Sequence, residues 1–343
     1  MLSAAELSVG LRLDDATVAD VREALWTDRS LVKTFGPRGT IHLLPTRDLP
    51  MWTGALSVIP AAAAGLAPDL RLTPDQTDYV VAAVAAALDG AELTIDELSD
   101  AVVEATGPWA GDPVMPAFGG MWPRWRQALA TAAHRGALCF GPNRGRKATY
   151  TSPSRWLPGF RPAEGSGAVV EVLRRYLHAY GPATPGHFAR WMGTTPRWAT
   201  DLFRSRADEL EPVELAGAEA WLPVGDADAP SHAPSGVRLL PYFDAYTVGC
   251  QPRGLLFEGP VGERALSRTG QAGNFPVLLV DGSVRGVWHQ RRTGHRVDIT
   301  VEPFAGLASA RRRALSAEVD EIGRFLGLEP KLTIGTVTVG GHA

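Results

Sequence analysis

Between residues 17 and 26 the apolar side chains fall at Val18, Val21, Ala24 and Leu25, a three-to-four spacing that gathers them on one helix face. A short helix is predicted before this segment and a strand at 40–44 after it. A further helix, from Asp48 to Ala64, follows a proline-marked turn. The stretch from 72 to 158 is more complete. Thr73-Pro74-Asp75 starts a helix with a capping threonine and a proline in its first turn, running to about Leu88. Thr94-Ile95-Asp96-Glu97 opens a second with a capping box, and 121–135 reads as a third, ended by Gly136. Strands at 137–140 and 148–151 flank a basic turn at 141–147. Helix, helix, helix, hairpin is the order of a winged helix-turn-helix.

That order returns over 164–225, with helices at 169–180, 184–191 and 195–207 and a short hairpin, 213–215 with 220–222, around Ala216-Gly217. An acidic, proline-bearing linker at 225–230 leads into strands at 237–240, 255–258, 277–280, 284–289 and 296–301, where Asp281-Gly282 is a two-residue hairpin turn. One helix, Ser309–Leu326, closes the chain before a short tail. The fold class expected is α+β: tandem winged-helix (helix-turn-helix) units followed by a barrel-like or curved β domain with a closing helix. The divisions expected are a truncated first unit at 1–70, a second at 71–160, a third at 161–225, and the β-rich domain at 236–343.

Composition adds little to this and removes several classes. The 343 residues exceed one ordinary core, and 45% hydrophobic with 21% charged residues is the balance of a folded soluble protein. Two cysteines, Cys139 and Cys250, build neither a zinc site nor a disulfide framework. No signal peptide is visible, and the apolar run at 80–88 is too short to span a membrane, so a cytosolic chain is expected. There is no Gly-x-Ser-x-Gly elbow, no His-Glu-x-x-His and no Rossmann glycine pattern, which disfavours nucleophilic hydrolases, metalloenzymes and dehydrogenases. No metal and no cofactor are expected.

Charge changes the picture more. The whole chain carries a formal −3, yet residues 113–163 hold eight basic side chains and no acidic one: Arg124, Arg126, Arg135, Arg144, Arg146, Lys147, Arg155 and Arg161. The span includes the third helix and the wing tip, where phosphate contacts are needed, so Arg124, Arg126, Arg144, Arg146 and Lys147 are candidates for double-stranded DNA. A solvated face that happens to lack carboxylates is the bland alternative. A second cluster, Arg285, His289, Arg291, Arg292, His295 and Arg296, sits on the predicted β-ribbon around Thr293-Gly294. It suits a DNA groove, and equally an edge strand guarded against pairing.

Two motifs remain. Residues 31–43 read Leu31-Val32-Lys33-Thr34-Phe35-Gly36-Pro37-Arg38-Gly39-Thr40-Ile41-His42-Leu43, and 239–246 read Leu239-Leu240-Pro241-Tyr242-Phe243-Asp244-Ala245-Tyr246. In a strand, Arg38, Thr40 and His42 would share one face and could orient a distorted nucleotide. An arginine on backbone carbonyls and a core histidine is the structural alternative. Asp244 could orient Arg38 or a water, or simply cap a turn.

Both segments resemble signatures of the winged-helix DNA glycosylases that repair alkylated purines and interstrand crosslinks, the AlkZ type. The resemblance covers nearly the whole chain in order. Where the family pattern of the second segment ends in Asp-Arg, this chain has Cys250-Gln251-Pro252-Arg253. The resemblance implies hydrolysis of the N-glycosidic bond of an N7-alkylated purine by a monomer that needs no metal. It also implies a catalytic Gln-x-Gln or Gln-x-Asp just upstream of Ser3-Ala4-Ala5-Glu6-Leu7. No such pair precedes Ser3, and Gln76, Gln127, Gln251, Gln271 and Gln290 lie elsewhere. A misassigned start or a family member that binds without cutting would each explain this, and Arg38, Thr40, His42 and Asp244 are the catalytic candidates left. The alternative from another class is a DNA-binding regulator with a ligand-sensing β domain, which requires a dimer and a palindromic site. A gel-filtration mass separates the two.

Overall fold

The computed structural model describes residues 2–60, 66–117, 120–226, 232–266, 273 and 275–340. Parts of three expectations, the helix beyond residue 60, the linker at 227–230 and Gln271, lie outside the described residues. The chain divides into two compact units, Met1–Arg22 with Gly225–Ala343, and Glu23–Val224.

The chain opens with α1 (Leu2–Gly10) and α2 (Val18–Trp26), the division between units falling within α2. Next come β1 (Leu31–Phe35) and β2 (Ile41–Pro45), paired antiparallel with Thr34 opposite His42. The α3 helix (Leu49–Val58) ends short of the predicted Ala64, because Ile59 precedes Pro60 and a residue before proline is pushed out of the α region.

The second helix-turn-helix is built from α4 (Pro74–Ala87), β3 (Glu92–Thr94) and α5 (Ile95–Thr106). The Thr73 cap with Pro74 and the Thr94/Glu97 capping box start the two helices as the sequence predicts, and Gln76 completes a further capping box at Thr73. The third helix is shorter than expected. Instead β4 (Pro113–Ala117) pairs antiparallel with β5 (Gly120–Pro123), and a 3-10 turn at Arg124–Ala128 leads into α6 (Leu129–His134). Pro123 disfavours the α region for Trp122, for the reason given at Pro60. The wing is β6 (Cys139–Arg144) with β7 (Lys147–Thr151), and β3 adds to β7 in a three-stranded sheet. Trp125, Leu98, Leu138 and Phe140 fill the core beneath it.

The third unit follows the predicted order: α7 (Gly165–Tyr180), α8 (Pro185–Met192), α9 (Pro196–Ser205), then β8 (Leu210–Leu215) and β9 (Ala218–Pro223) joined at Ala216-Gly217. Tyr176, Phe188 and Phe203 form its core, and α3 contributes Ala55 and Leu56 to it. The close approach of α3 depends on Gly54: a Cβ there would meet the Ala163 carbonyl oxygen at 2.5 Å.

The β-rich unit is a five-stranded, curled half-barrel sheet: β10 (Val237–Leu240), β11 (Val277–Val280), β12 (Ser283–Thr293), β13 (Arg296–Pro303) and β14 (Glu329–Ile334). Its pairs are antiparallel except β13 with β14. Two short helices, α10 (Ala245–Gly249) and α11 (Pro260–Ala265), precede β11, and α12 (Ser309–Leu326) closes the unit as predicted. The strand expected at 255–258 does not form. A 3-10 turn at Arg253–Leu255 occupies its start, and Leu256 and Phe257 enter the core from irregular chain. No helix among the described residues is long and apolar enough to cross a membrane.

Candidate nucleic-acid interface

The Arg-Gly-Thr-x-His block begins in a turn and enters β2 at Ile41, one residue after the strand start expected at Thr40. Pro37–Gly39 forms a 3-10 turn between β1 and β2, with Arg38 and Gly39 both left-handed at φ 62° and 64°. Arg38 is therefore not on a strand face with Thr40 and His42. Its Nη1 donates to the Trp191 carbonyl at the C-terminal end of α8, where a cation both satisfies an orphan acceptor and meets the negative end of the helix dipole. Gly193 makes room: a Cβ there would stand 2.9 Å from the Arg38 Cγ. The exposed Thr40 turns its hydroxyl back onto the Pro37 carbonyl at 3.0 Å.

His42 lies against Gly36, where a Cβ would come within 2.7 Å of its Nδ1, and donates that Nδ1–H to the Thr40 carbonyl at 2.9 Å. Burial, with Arg38 and His134 adding like charge, pushes the His42 pKa down to about 4, and the bond to Thr40 offsets this only in part. His134 of α6 donates from Nε2 to the Gly36 carbonyl at 3.1 Å, and its pKa is also lowered by burial. The block thus ties α6 of one winged-helix unit to α8 of the next.

Asp244 belongs to the β-rich unit. It is fully buried and caps α10 through the Tyr246 amide. Its carboxylate takes a bidentate pair from Arg12 at 2.8 and 2.9 Å and the Ser8 hydroxyl at 2.6 Å, so its acceptor capacity is spent on α1 and the residues that follow it. Arg12 and Ser8 carried no sequence signal, because the pairs span more than 230 residues. Two of the scattered glutamines are also structural: Gln76 closes the α4 capping box, and Gln127 brackets Leu70 and Leu72.

The basic run of 113–163 does not stay segregated on folding. Arg124 lies 3.6 Å from Asp112, Arg135 2.5 Å from Asp78, Arg144 3.1 Å from Glu97 and Lys147 2.5 Å from Asp96. Those carboxylates come from α4, α5 and the chain just before β4. Asp96 and Glu97 sit in the first turn of α5, where acidic residues suit the helix dipole, and that turn lies beside the wing. Arg126 stacks over the Trp122 ring at 4.2 Å. At the wing tip, beside Gly145, Arg146 is exposed and has no carboxylate partner among the described residues.

The β12–β13 ribbon differs. Arg285 lies 3.7 Å from Glu258 and Arg296 3.5 Å from Asp298. Arg291 and Arg292 are exposed and have no carboxylate partner among the described residues. As neighbours on a strand they project from opposite faces of the ribbon, just before a two-residue turn at Gly294-His295. His289 is half-buried, which lowers its pKa. Arg291 stands across the ribbon from Asp298; none of Arg146, Arg291 and Arg292 forms an ion pair among the described residues, so each can meet a phosphate without breaking one. No group of three or more His, Cys, Asp or Glu among the described residues could hold a metal ion.

Comparison with known proteins agrees with this architecture. The chain is 33% identical over 341 residues to an interstrand DNA cross-link repair glycosylase of Streptomyces sahachiroi, spanning 95% of this chain and 87% of that protein. Among solved structures it matches Streptomyces sahachiroi DNA glycosylase AlkZ with a TM-score of 0.75 and 29% identity, over 97% of this chain and 89% of that one. The AlkZ-like DNA glycosylase family model matches residues 2–325, and the chain belongs to that family.

Proposed function

We propose that this chain grips double-stranded DNA carrying N7-alkylated purines, crosslinked ones included, and that residues 2–340 supply the holding rather than the bond-breaking part of glycosidic hydrolysis. The observation that carries the reading is the trio Arg146, Arg291 and Arg292, exposed cations without an ion pair among the described residues, at the tips of a wing and a β-ribbon in a member of a DNA glycosylase family. The substrate class is the one that the family resemblance implies, and leaving-group chemistry is consistent with it. Alkylation at N7 leaves the base positively charged, so its departure needs little acid catalysis. What remains is to place a water and stabilise an oxocarbenium-like sugar, which a hydrogen-bonding side-chain pair can do. A base held to both strands cannot be swung out freely, whereas tandem winged helices can hold such a duplex from outside.

Arg38, Thr40, His42 and Asp244 are poor candidates for that pair, because each is committed to a carbonyl, an amide or a guanidinium of the scaffold. We assign them to holding α1, α6 and α8 in place. The test is to incubate the purified chain with an N7-methylated duplex and follow bound DNA and free 7-methylguanine together. Retention of the duplex is expected, with free base appearing only at the spontaneous rate. Release above that rate would overturn the division of labour, and absence of duplex binding would overturn the whole reading.

A further inference from the structure

The β4–β5 strand pair, inserted between the second and third helices of the second winged-helix unit, answers to no element of the plain helix-turn-helix order. It ends against the 3-10 turn that leads into α6, the third helix, at the place where such folds approach nucleic acid. Met121 and Trp122 are adjacent on β5 and so project from opposite faces. Met121 lines a shallow groove with Ser99, Asp100, Val103 and Glu104 of α5. Trp122 stands on the other face, 40% exposed, with the Arg126 guanidinium 4.2 Å from its ring centroid.

Arg126 is held between Trp122 and Tyr150. It is half-buried, its Nε finds no hydrogen-bond acceptor, and the Tyr150 hydroxyl and Asp96 are the charged and polar groups beside it. Tyr150 belongs to β7 and Asp96 pairs with Lys147, so the indole shares a surface with the base of the wing. An exposed indole held in place by a cation on one face is a stacking surface of fixed orientation. It is also a small one. A single ring falls far short of the roughly 800 Å² per partner that a stable protein interface needs, and it matches the area of one nucleobase.

We infer that Trp122, backed by Arg126, is a stacking platform for one unpaired nucleobase of duplex DNA, such as the base left opposite a distorted or alkylated partner. The inference rests on the DNA-binding reading above and adds to it a site and a ligand. Aromatic stacking on an unpaired base requires only a free π-face, so the platform is indifferent to base identity.

The test compares an intact duplex with the same duplex carrying a one-nucleotide bulge, for the wild-type chain, Trp122→Ala and Trp122→Phe. The wild type is expected to prefer the bulged duplex by roughly ten-fold, the scale of one stacked base. Trp122→Ala is expected to lower affinity for the bulged duplex about ten-fold more than for the intact one, and Trp122→Phe, which keeps a stacking face, to retain most of the preference. An absent wild-type preference, a preference that survives in Trp122→Ala, or one lost equally in Trp122→Phe would overturn the platform. Failure to bind either duplex would overturn the DNA reading itself, and the platform with it.

Discussion

His42 shows how a motif residue can be informative without touching substrate. Its neutral ring fits between Gly36 and the Thr40 carbonyl, with Arg38 and His134 close enough to penalise a charge. A base whose folded pKa of about 4 lies below its ordinary 6.5 binds more protons when unfolded. Its contribution to stability is therefore complete above pH 6.5 and is lost as pH falls through about 4. Because the ring is half-buried and partly screened, the expected loss is about 1–2 kcal/mol. Urea unfolding at pH 7 and pH 4.5 measures it: His42→Gln should narrow the gap between the two pH values by that amount, and an unchanged gap would place the ring in a more aqueous setting. The identity of the block was legible in the sequence, but the work of Arg38 was not. Its partner, the Trp191 carbonyl, lies 153 residues away at the end of a helix whose position only the fold determines.

Elements with local signals were legible and those without were not. The capped helices α4, α5, α8 and α9, the Asp281-Gly282 turn and α12 fall where threonine caps, prolines and periodicity put them. The strand β1 went unseen because it is stabilised by pairing with β2 rather than by its own pattern, and β14 because its pairing with β13 is parallel and crosses α12. The charge of the wing is the instructive failure. Counted along the chain it is strongly basic, yet the carboxylates that neutralise it stand 47 and 51 residues upstream on α5. Exposed ion pairs of this kind are worth about 0–1 kcal/mol, so phosphates can displace them. Asp96→Asn frees Lys147 without touching the Thr94/Glu97 capping box and is expected to tighten duplex binding about three- to five-fold at low salt. Fluorescence anisotropy with a labelled duplex reads this directly. Unchanged or weaker binding would mean that Lys147 does not approach DNA.

At the scale of the molecule, family membership and physical chemistry meet at the surface. A chain of net −3 is not a general nucleic-acid coat, and folding ties four of the eight cations of its apparent basic patch into ion pairs. Beside β-turns, cations without a carboxylate partner among the described residues stand on both units: Arg146 on the unit Glu23–Val224, and Arg291 and Arg292 on the β-rich unit. Duplex binding through Arg146, Arg291 and Arg292 is tested most directly by affinity measured across a salt series. Each phosphate contact steepens the plot of log affinity against log salt by about 0.9, so replacing all three by alanine should flatten the slope by about 2.7. Arg146→Ala alone should account for about one third of that change. A triple variant whose slope matches the wild type would contradict the claim that these three side chains hold the duplex.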